Sequence, residues 1–172
     1  MSDDEASSGN MNDDKALSSD GCWGAAENDA AHSQAVGDLP QVLVVAAALL
    51  DVDNRVLLAQ RPPGKSMAGL WEFPGGKVGL NETPEAALIR ELDEELGIEV
   101  EVGRVLELVF ARSTDEVSIV LIFFEASRTT RSAAPRPIEA AAVRWVELHD
   151  LLDGELTPGD RVMAAQLRSR AD

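Results

Sequence analysis

One well-marked helix between two loops is indicated by residues Gly76–Ile98, which read GKVGLNETPEAALIRELDEELGI. Thr83 followed by Pro84 is a favourable helix start, since the threonine side chain can cap the first turn and proline lacks the N–H that is left free there. Gly97 is a typical left-handed stop. The sequence therefore predicts a helix over Pro84–Leu96. Its apolar residues recur at helical spacing, namely Leu88, Ile89, Leu92 and Leu96.

One edge of this predicted helix is acidic. Glu91, Glu94 and Glu95 fall within an arc of about 100°, and carboxylates three and four residues apart repel one another unless a counter-charge is present. A solvated helix face is the ordinary explanation of such a pattern. The alternative is a bound divalent cation, since carboxylate oxygens are the ligands that Mg²⁺ prefers, with Mn²⁺ as a substitute.

The spacing around these carboxylates favours the cation. Gly76 is followed after five residues by Glu82, and after seven more by Arg90–Ile98, which reads RELDEELGI. This pattern is a complete Nudix box, so the chain resembles the Nudix hydrolases. The flanking segments Leu57–Arg61 and Ser66–Val78 are similar to the MutT-type branch of that family, which hydrolyses nucleoside triphosphates.

The resemblance implies both a fold and a metal site. In the family, the box forms a loop-helix-loop docked on an α/β/α sandwich with a mixed sheet, and the three helix glutamates bind metal. Glu91, Glu94 and Glu95 are therefore expected to be catalytic metal ligands. A further glutamate ahead of a tryptophan-containing strand completes the site in MutT-like enzymes, and the matching residue is Glu139, six residues before Trp145. The alternative for Glu139 is an exposed loop residue.

Other residues of the box have supporting roles in the family. Glu82 and Arg90 pair across the loop and the helix, and Gly97 ends the helix. Gly76 lets the backbone approach the site closely. Lys77 resembles a lysine that lies near the substrate phosphates in relatives.

The resemblance implies that two positions outside the box bind the base, namely Arg61 and Asp160. MutT carries asparagine at the position of Asp160, whereas relatives that act on cytosine nucleotides, and some oxidised-purine hydrolases, carry aspartate. The base therefore stays open. The alternative for Asp160 is an N-cap of the last helix.

The rest of the chain is predicted from its apolar pattern. Val42–Leu50 and Val56–Gln60 are joined by turn-forming residues, which predicts a hairpin, and Gly75-Gly76 is predicted to open a loop. Ser127–Pro137 is also predicted as a loop. Four later runs predict strands and one a short helix, in the order Glu99–Val102, Val105–Ala111, Val117–Glu125, Ala140–Val146 and, for the helix, Asp160–Arg168. This order suggests a mixed sheet with helices packed against its faces.

Residues 1–40 differ from the remainder in composition. They contain nine acidic residues and one lysine, so they carry −8 of the net charge of −16. Without apolar periodicity, they are predicted to be a disordered acidic N-terminal tail, and residues 41–172 are predicted to be a Nudix hydrolase domain. The acidic start does not support a secretory or transit signal.

The composition also limits the partners. An acidic chain repels nucleic acid polymers, and the longest apolar run is far shorter than the roughly 20 residues of a membrane span. Cys22 is the only cysteine, which excludes an intrachain disulfide and a cysteine-based metal site. We expect a soluble cytoplasmic monomer whose partner is a small nucleotide.

The function implied by the resemblance is Mg²⁺-dependent nucleoside triphosphate pyrophosphohydrolysis, which releases nucleoside monophosphate and pyrophosphate. The leading substrate is 8-oxo-dGTP or a related oxidised purine nucleotide, a role in nucleotide-pool sanitation. A (d)CTP-type activity is the alternative. A non-catalytic module that senses nucleotides is a third hypothesis. Glu91 is the expected general base, with Glu139 as the alternative.

Overall fold

The computed structural model describes residues 41–114 and 117–170, so the predicted tail at residues 1–40 lies outside the described residues. The strands are β1 (Gln41–Leu49), β2 (Arg55–Gln60), β3 (Trp71–Glu72), β4 (Gly75–Lys77), β5 (Val100–Thr114), β6 (Val117–Arg128) and β7 (Ala142–Glu147). The α-helices are α1 (Pro84–Leu96) and α2 (Asp160–Arg168), and short 3₁₀ helices span Leu148–Asp150 and Asp153–Glu155.

These strands form two sheets. The first has the order β4-β1-β6-β5, in which β1 runs parallel to β6 and antiparallel to β4. The second is antiparallel and has the order β3-β2-β7. The first sheet is the predicted mixed sheet, whereas the sequence pattern gives no indication that the strands divide between two.

Each face of the first sheet is covered by one helix. Alternate residues of a strand point to opposite faces, and β1 is apolar on both. Val45 and Ala47 lie in a buried cluster with α1, while Ala46 and Ala48 lie in a second cluster with α2. The helix residues are Leu88, Leu92 and Leu96 in the first cluster and Met163, Ala164 and Leu167 in the second. The α/β/α arrangement implied by the resemblance is therefore confirmed.

Helix α1 has the predicted bounds and the predicted caps. The Thr83 hydroxyl oxygen accepts a hydrogen bond from the Ala86 N–H at 3.2 Å. Gly97 adopts a left-handed conformation with φ 66°, and its N–H donates to the Asp93 carbonyl at 2.8 Å. Of the four apolar residues at helical spacing, Leu88, Leu92 and Leu96 are buried, whereas Ile89 is 44% exposed.

The predicted hairpin between β1 and β2 is wrong, although the turn that joins them is present. Asn54 has φ 63°, and an Asp51 carboxylate oxygen accepts the Arg55 N–H at 2.9 Å. The strands share a bridge between Leu50 and Val56 and then enter different sheets. The reason is that β4 and β6 occupy the two edges of β1, which leaves no edge for β2.

The predicted loop at Gly75-Gly76 is also corrected, because Gly75–Lys77 forms β4. It pairs with β1 through Ala46 opposite Gly75 and Val44 opposite Lys77. A Cβ atom on Gly75 would lie 2.1 Å from the Val45 carbonyl oxygen, so only glycine fits there. A strand that begins with two glycines has no side-chain alternation, which is why the pattern does not predict it.

The remaining elements differ from the prediction mainly at their ends. The two runs predicted on either side of Gly103 form the single strand β5, with register irregularities between Val102 and Val105 and between Val105 and Glu107. β6 continues to Arg128, and α2 has the predicted bounds. Over the described part of the chain, we find no helix with the length and apolar character needed to cross a membrane.

Candidate active site

Helix α1 contacts β4 at Gly76, where an added side chain would meet the Glu91 carboxylate. A Cβ atom on Gly76 would lie 2.2 Å from the carboxyl carbon of Glu91. The Glu91 carboxylate therefore rests against the backbone of β4, and its side chain is only 16% exposed. Gly76 thus makes room for an acidic group at the helix–strand junction, as a close backbone approach requires.

Arg90 organises the loop before α1 and the acidic edge of that helix. Its guanidinium donates to Glu82 at 2.7 Å, to Glu91 at 3.0 Å and to Glu94 at 3.1 Å. It also donates to the Lys77 carbonyl at 3.2 Å. The hydrogen bonds with Glu82 and then Glu91 raise the pKa of Arg90, and the Arg90 hydrogen bond lowers the pKa of Glu82. The expected pairing of Glu82 with Arg90 is present.

Glu95 is half-buried in the last turn of α1. Burial raises its pKa to about 7, and the negative charges of Glu72, Glu91 and Glu139 add to this effect. A hydrogen bond from the Gly75 N–H opposes it. A carboxyl group that is buried among like charges in this way is a common feature of functional sites.

Glu139 lies beside the end of α1. The N–H groups of Ile138 and Glu139 both donate to the Glu95 carbonyl, at 3.0 Å and 3.3 Å. The Glu139 side chain is exposed, and its charge acts on the Glu95 carboxyl. The structure therefore brings Glu139 next to Glu95, although the two are far apart in sequence. We call Glu91, Glu94, Glu95 and Glu139 the helix cluster.

The helix cluster has the right chemistry for a hard divalent cation, since it offers only carboxylate oxygens and its negative charge is incompletely neutralised. Its side chains are not gathered as finished ligands. Among residues 41–114 and 117–170, no three His, Cys, Asp or Glu side chains stand together as a ready metal site. The contacts of Arg90 explain part of this, because that guanidinium holds both Glu91 and Glu94. Lys77 is exposed on β4, next to the same helix.

Arg61 belongs to a second group of polar residues, at β3. Its guanidinium forms an ion pair with Glu72, and its Nε donates to the Ser66 carbonyl at 2.6 Å. Burial raises the pKa of Glu72, and the positive charge of Arg61 partly offsets the rise. Glu72 was not predicted as a site residue. The signal in the sequence is its place immediately before the Phe-Pro-Gly-Gly run.

Asp160 lies in the interior, at the first residue of α2, and is only 4% exposed. One carboxylate oxygen accepts the Phe73 N–H at 3.3 Å, and the other accepts the Thr157 hydroxyl. Burial raises the pKa of Asp160 to about 7. The N-cap alternative is wrong, because Gly159 is the capping residue and no side chain caps this helix.

The two groups meet at Glu72. We call Arg61, Glu72 and Asp160 the strand cluster. The negative charge of Glu72 raises the pKa of Glu95 in the helix cluster and also that of Asp160. The charges of the two clusters therefore interact through Glu72.

The comparisons with known proteins agree with this fold. The NUDIX domain family matches residues 40–167, so the chain belongs to that family. It is 46% identical over 87 residues to the 8-oxo-dGTP diphosphatase of Proteus vulgaris, which covers 51% of this chain and 77% of that protein. It is 39% identical over 121 residues to the CTP pyrophosphohydrolase of Escherichia coli, which covers 70% of this chain and 87% of that protein.

Solved structures give the same result. The E. coli ORF135 protein in solution is similar with a TM-score of 0.66 and 34% identity, over 79% of this chain and 94% of that one. The MutT NUDIX hydrolase of Burkholderia pseudomallei gives a TM-score of 0.64 and 32% identity, over 73% of this chain and 97% of that one. The expected family and the expected fold class are both confirmed.

Proposed function

We propose that this protein is a divalent-metal-dependent nucleoside triphosphate pyrophosphohydrolase that releases nucleoside monophosphate and pyrophosphate. The observation that carries the proposal is the close approach of the acidic edge of α1 to the glycine strand β4, where the Glu91 carboxyl fills the space over Gly76. Beside it, the half-buried Glu95 carboxyl accepts the Gly75 N–H, and burial, followed by the charges of its acidic neighbours, raises its pKa. Relatives named for 8-oxo-dGTP and CTP hydrolysis support the same reaction class.

In this proposal the helix cluster holds Mg²⁺, for which Mn²⁺ can substitute. The bound metal would supply positive charge that neutralises the phosphates and orients them. Gly76 leaves the space that the Glu91 carboxylate occupies. The ion pair between Arg90 and Glu82 holds the loop before α1 against the helix.

Side chains of the protein accept the proton of the attacking water and stabilise the leaving group. A water molecule attacks phosphorus, and the P–O–P linkage between the first and second phosphates breaks. Glu91 takes the proton of that water as general base, with Glu139 as the alternative. Lys77, exposed beside the cluster, contributes a positive charge to the pyrophosphate that leaves.

Recognition of the nucleotide base is assigned to the strand cluster. Arg61 and Asp160 were expected there, and Glu72 joins them through its ion pair with Arg61 and its charge effect on Asp160. An oxidised purine triphosphate such as 8-oxo-dGTP is the leading substrate, which makes nucleotide-pool sanitation in the cytoplasm, and so the protection of DNA, the proposed role. The CTP pyrophosphohydrolase relative, matched over 121 residues, supports a cytidine nucleotide as the second candidate.

A nucleotide panel tests the proposal. Full-length protein with Mg²⁺ is given 8-oxo-dGTP, dGTP, CTP, dCTP and ATP, and pyrophosphate release is measured for each. We expect turnover that stops when EDTA removes the metal and returns with Mg²⁺. Tight binding of one nucleotide without hydrolysis of any would instead favour the non-catalytic sensing module.

The organisation of the chain stays a proposal as well. We propose a tail at residues 1–40, a catalytic domain at residues 41–172 and a monomer as the acting unit. Size-exclusion chromatography with light scattering tests the last point, and the nucleotide panel repeated on tail-deleted protein tests whether residues 1–40 affect turnover.

A further inference from the structure

Thr157 lies where β3 and α2 meet and is only 6% exposed. Its N–H donates to the Trp71 carbonyl at 3.0 Å, and its own carbonyl accepts the Asp160 N–H at 3.1 Å. Next to it, Leu156 forms a bridge with Trp71. The backbone of this segment is therefore fixed between the strand and the helix without any help from the Thr157 side chain.

The Thr157 hydroxyl makes a separate hydrogen bond. Within the described residues, the group to which it donates is the second carboxylate oxygen of Asp160. The Phe73 N–H holds the first oxygen at 3.3 Å. A carboxyl group with a donor on each oxygen cannot rotate about its terminal bond without losing one of them. The two donors together fix the plane of the Asp160 carboxyl.

We infer that Thr157 is a positioning residue that orients the Asp160 carboxyl for recognition of the nucleotide base. This inference rests on the proposed function, in which Asp160 belongs to the strand cluster. A role in packing alone is the competing explanation. The two are separable because valine has the shape of threonine without the hydroxyl, so Thr157→Val removes the donor and keeps the volume.

The kinetic test compares Thr157→Val, Thr157→Ser, Asp160→Asn and the double variant on the nucleotide panel. For T157V we expect KM for the preferred nucleotide to rise by about tenfold, which is typical of losing one hydrogen bond to a charged group. We expect kcat to stay within about twofold, since the helix cluster is untouched. Preference for one base over another shrinks, and T157S restores it.

The double variant identifies the route of the effect. If Thr157 acts through Asp160, then adding T157V to D160N changes neither KM nor base preference further. Additive losses would overturn the inference, and so would a fall in kcat that is equal for every nucleotide and is not rescued by T157S. If T157V fails to fold, T157A measured against T157S decides the same question.

A second readout does not need turnover. Amide hydrogen exchange at Phe73 should become several-fold faster in T157V, because its acceptor on Asp160 is released, while the amide of residue 157 should stay protected by Trp71. Wild-type protein that hydrolyses no nucleotide would refute the proposed function, and the Phe73 amide would still report on the positioning. Unchanged exchange at Phe73 together with unchanged base preference would overturn the inference.

Discussion

The helix cluster and the strand cluster lie side by side, but they are built in opposite ways. Three of the four acids in the helix cluster come from two turns of α1, and one arginine, Arg90, holds two of them, Glu91 and Glu94. The strand cluster takes its members from β3, from the residue after β2 and from the start of α2. Arg61 donates to the Ser66 carbonyl and to Glu72, whereas Asp160 accepts the Phe73 N–H.

We infer from this difference that the helix cluster carries the reaction common to the family, whereas the strand cluster determines which nucleotide this chain prefers. A cluster made within one helix keeps its geometry as long as the helix is intact. A cluster made from three segments changes with each loop that joins them. We therefore expect substitutions in the helix cluster to affect the rate for every nucleotide, and substitutions in the strand cluster to affect the choice among nucleotides.

The largest effect is expected at Glu95. Glu95→Gln keeps the shape of the side chain and removes its charge, so turnover should fall by on the order of 10³-fold for every nucleotide while the fold is kept. Pyrophosphate release at saturating Mg²⁺ measures the loss, and E94Q should behave in the same direction. Glu85→Gln is the matched control, because Glu85 is exposed in the first turn of the same helix. Retained activity in E95Q would contradict the assignment.

A smaller but still general loss is expected from Gly76→Ala. The added methyl group would lie 2.2 Å from the Glu91 carboxyl carbon, so that carboxylate must move. A displacement of about 1 Å in a catalytic group typically costs on the order of 10²-fold in rate. Steady-state kinetics check this. Gly154→Ala should change nothing, because a Cβ there meets no atom within 4 Å; a G76A enzyme with normal kcat would remove Glu91 from the mechanism.

The strand cluster should respond in selectivity and in pH dependence. Asp160→Asn is expected to change the ratio of kcat/KM between two bases by about tenfold while kcat for the better one changes little. A uniform drop in kcat for all nucleotides would place Asp160 with the helix cluster instead.

The same variant should flatten the dependence of stability on pH. The pKa of Asp160 is raised in the fold from 3.8 to about 7, so between these values the folded state binds more protons than the unfolded state. Its contribution to stability is therefore present below pH 3.8 and is lost as pH rises towards 7. Urea unfolding at several pH values should show D160N losing less stability over this range, by on the order of 4 kcal/mol. Parallel pH profiles for the two proteins would contradict the buried, raised-pKa state.

The smallest effect is expected from Arg61→Lys. Lysine keeps the charge beside Glu72 but cannot reproduce the planar pair of contacts with Glu72 and the Ser66 carbonyl. A loss of about 1 kcal/mol in unfolding free energy and a rise in KM of a few-fold are expected. Arg131→Lys, at an exposed loop position, serves as the control. Equal results for the two variants would show that the guanidinium geometry is unimportant.

The sequence predicts best where the structure is local. Thr83, Pro84 and Gly97 set the ends of α1 through contacts within one turn, so both bounds were predicted correctly. The turn at Asp51–Asn54 was also predicted correctly, but the predicted hairpin was wrong, because the pairing of β1 depends on β4 and β6, which come later in the chain. Local turn chemistry does not specify which strand lies alongside.

The same limit applies to the site. The acids of α1 were identified from their spacing and from the family resemblance, whereas Glu72 was missed. Its importance comes from Arg61 and from its charge effect on Glu95 and Asp160, which belong to other elements. The N-cap interpretation of Asp160 was wrong for a related reason, since its oxygens are bonded to Phe73 and Thr157 instead of the first turn of α2.

The position of β1 in the first sheet has a consequence for how the chain is made. Gln41–Leu49 is apolar on both faces and is synthesised before its parallel partner β6, which ends only at Arg128. Parallel pairing between distant segments is slow, and an unpaired apolar strand is prone to aggregation. The nascent protein must therefore keep its central strand from other chains until most of the domain has been synthesised, so yield during expression should depend on translation speed and on chaperones more than the stability of the finished fold would suggest.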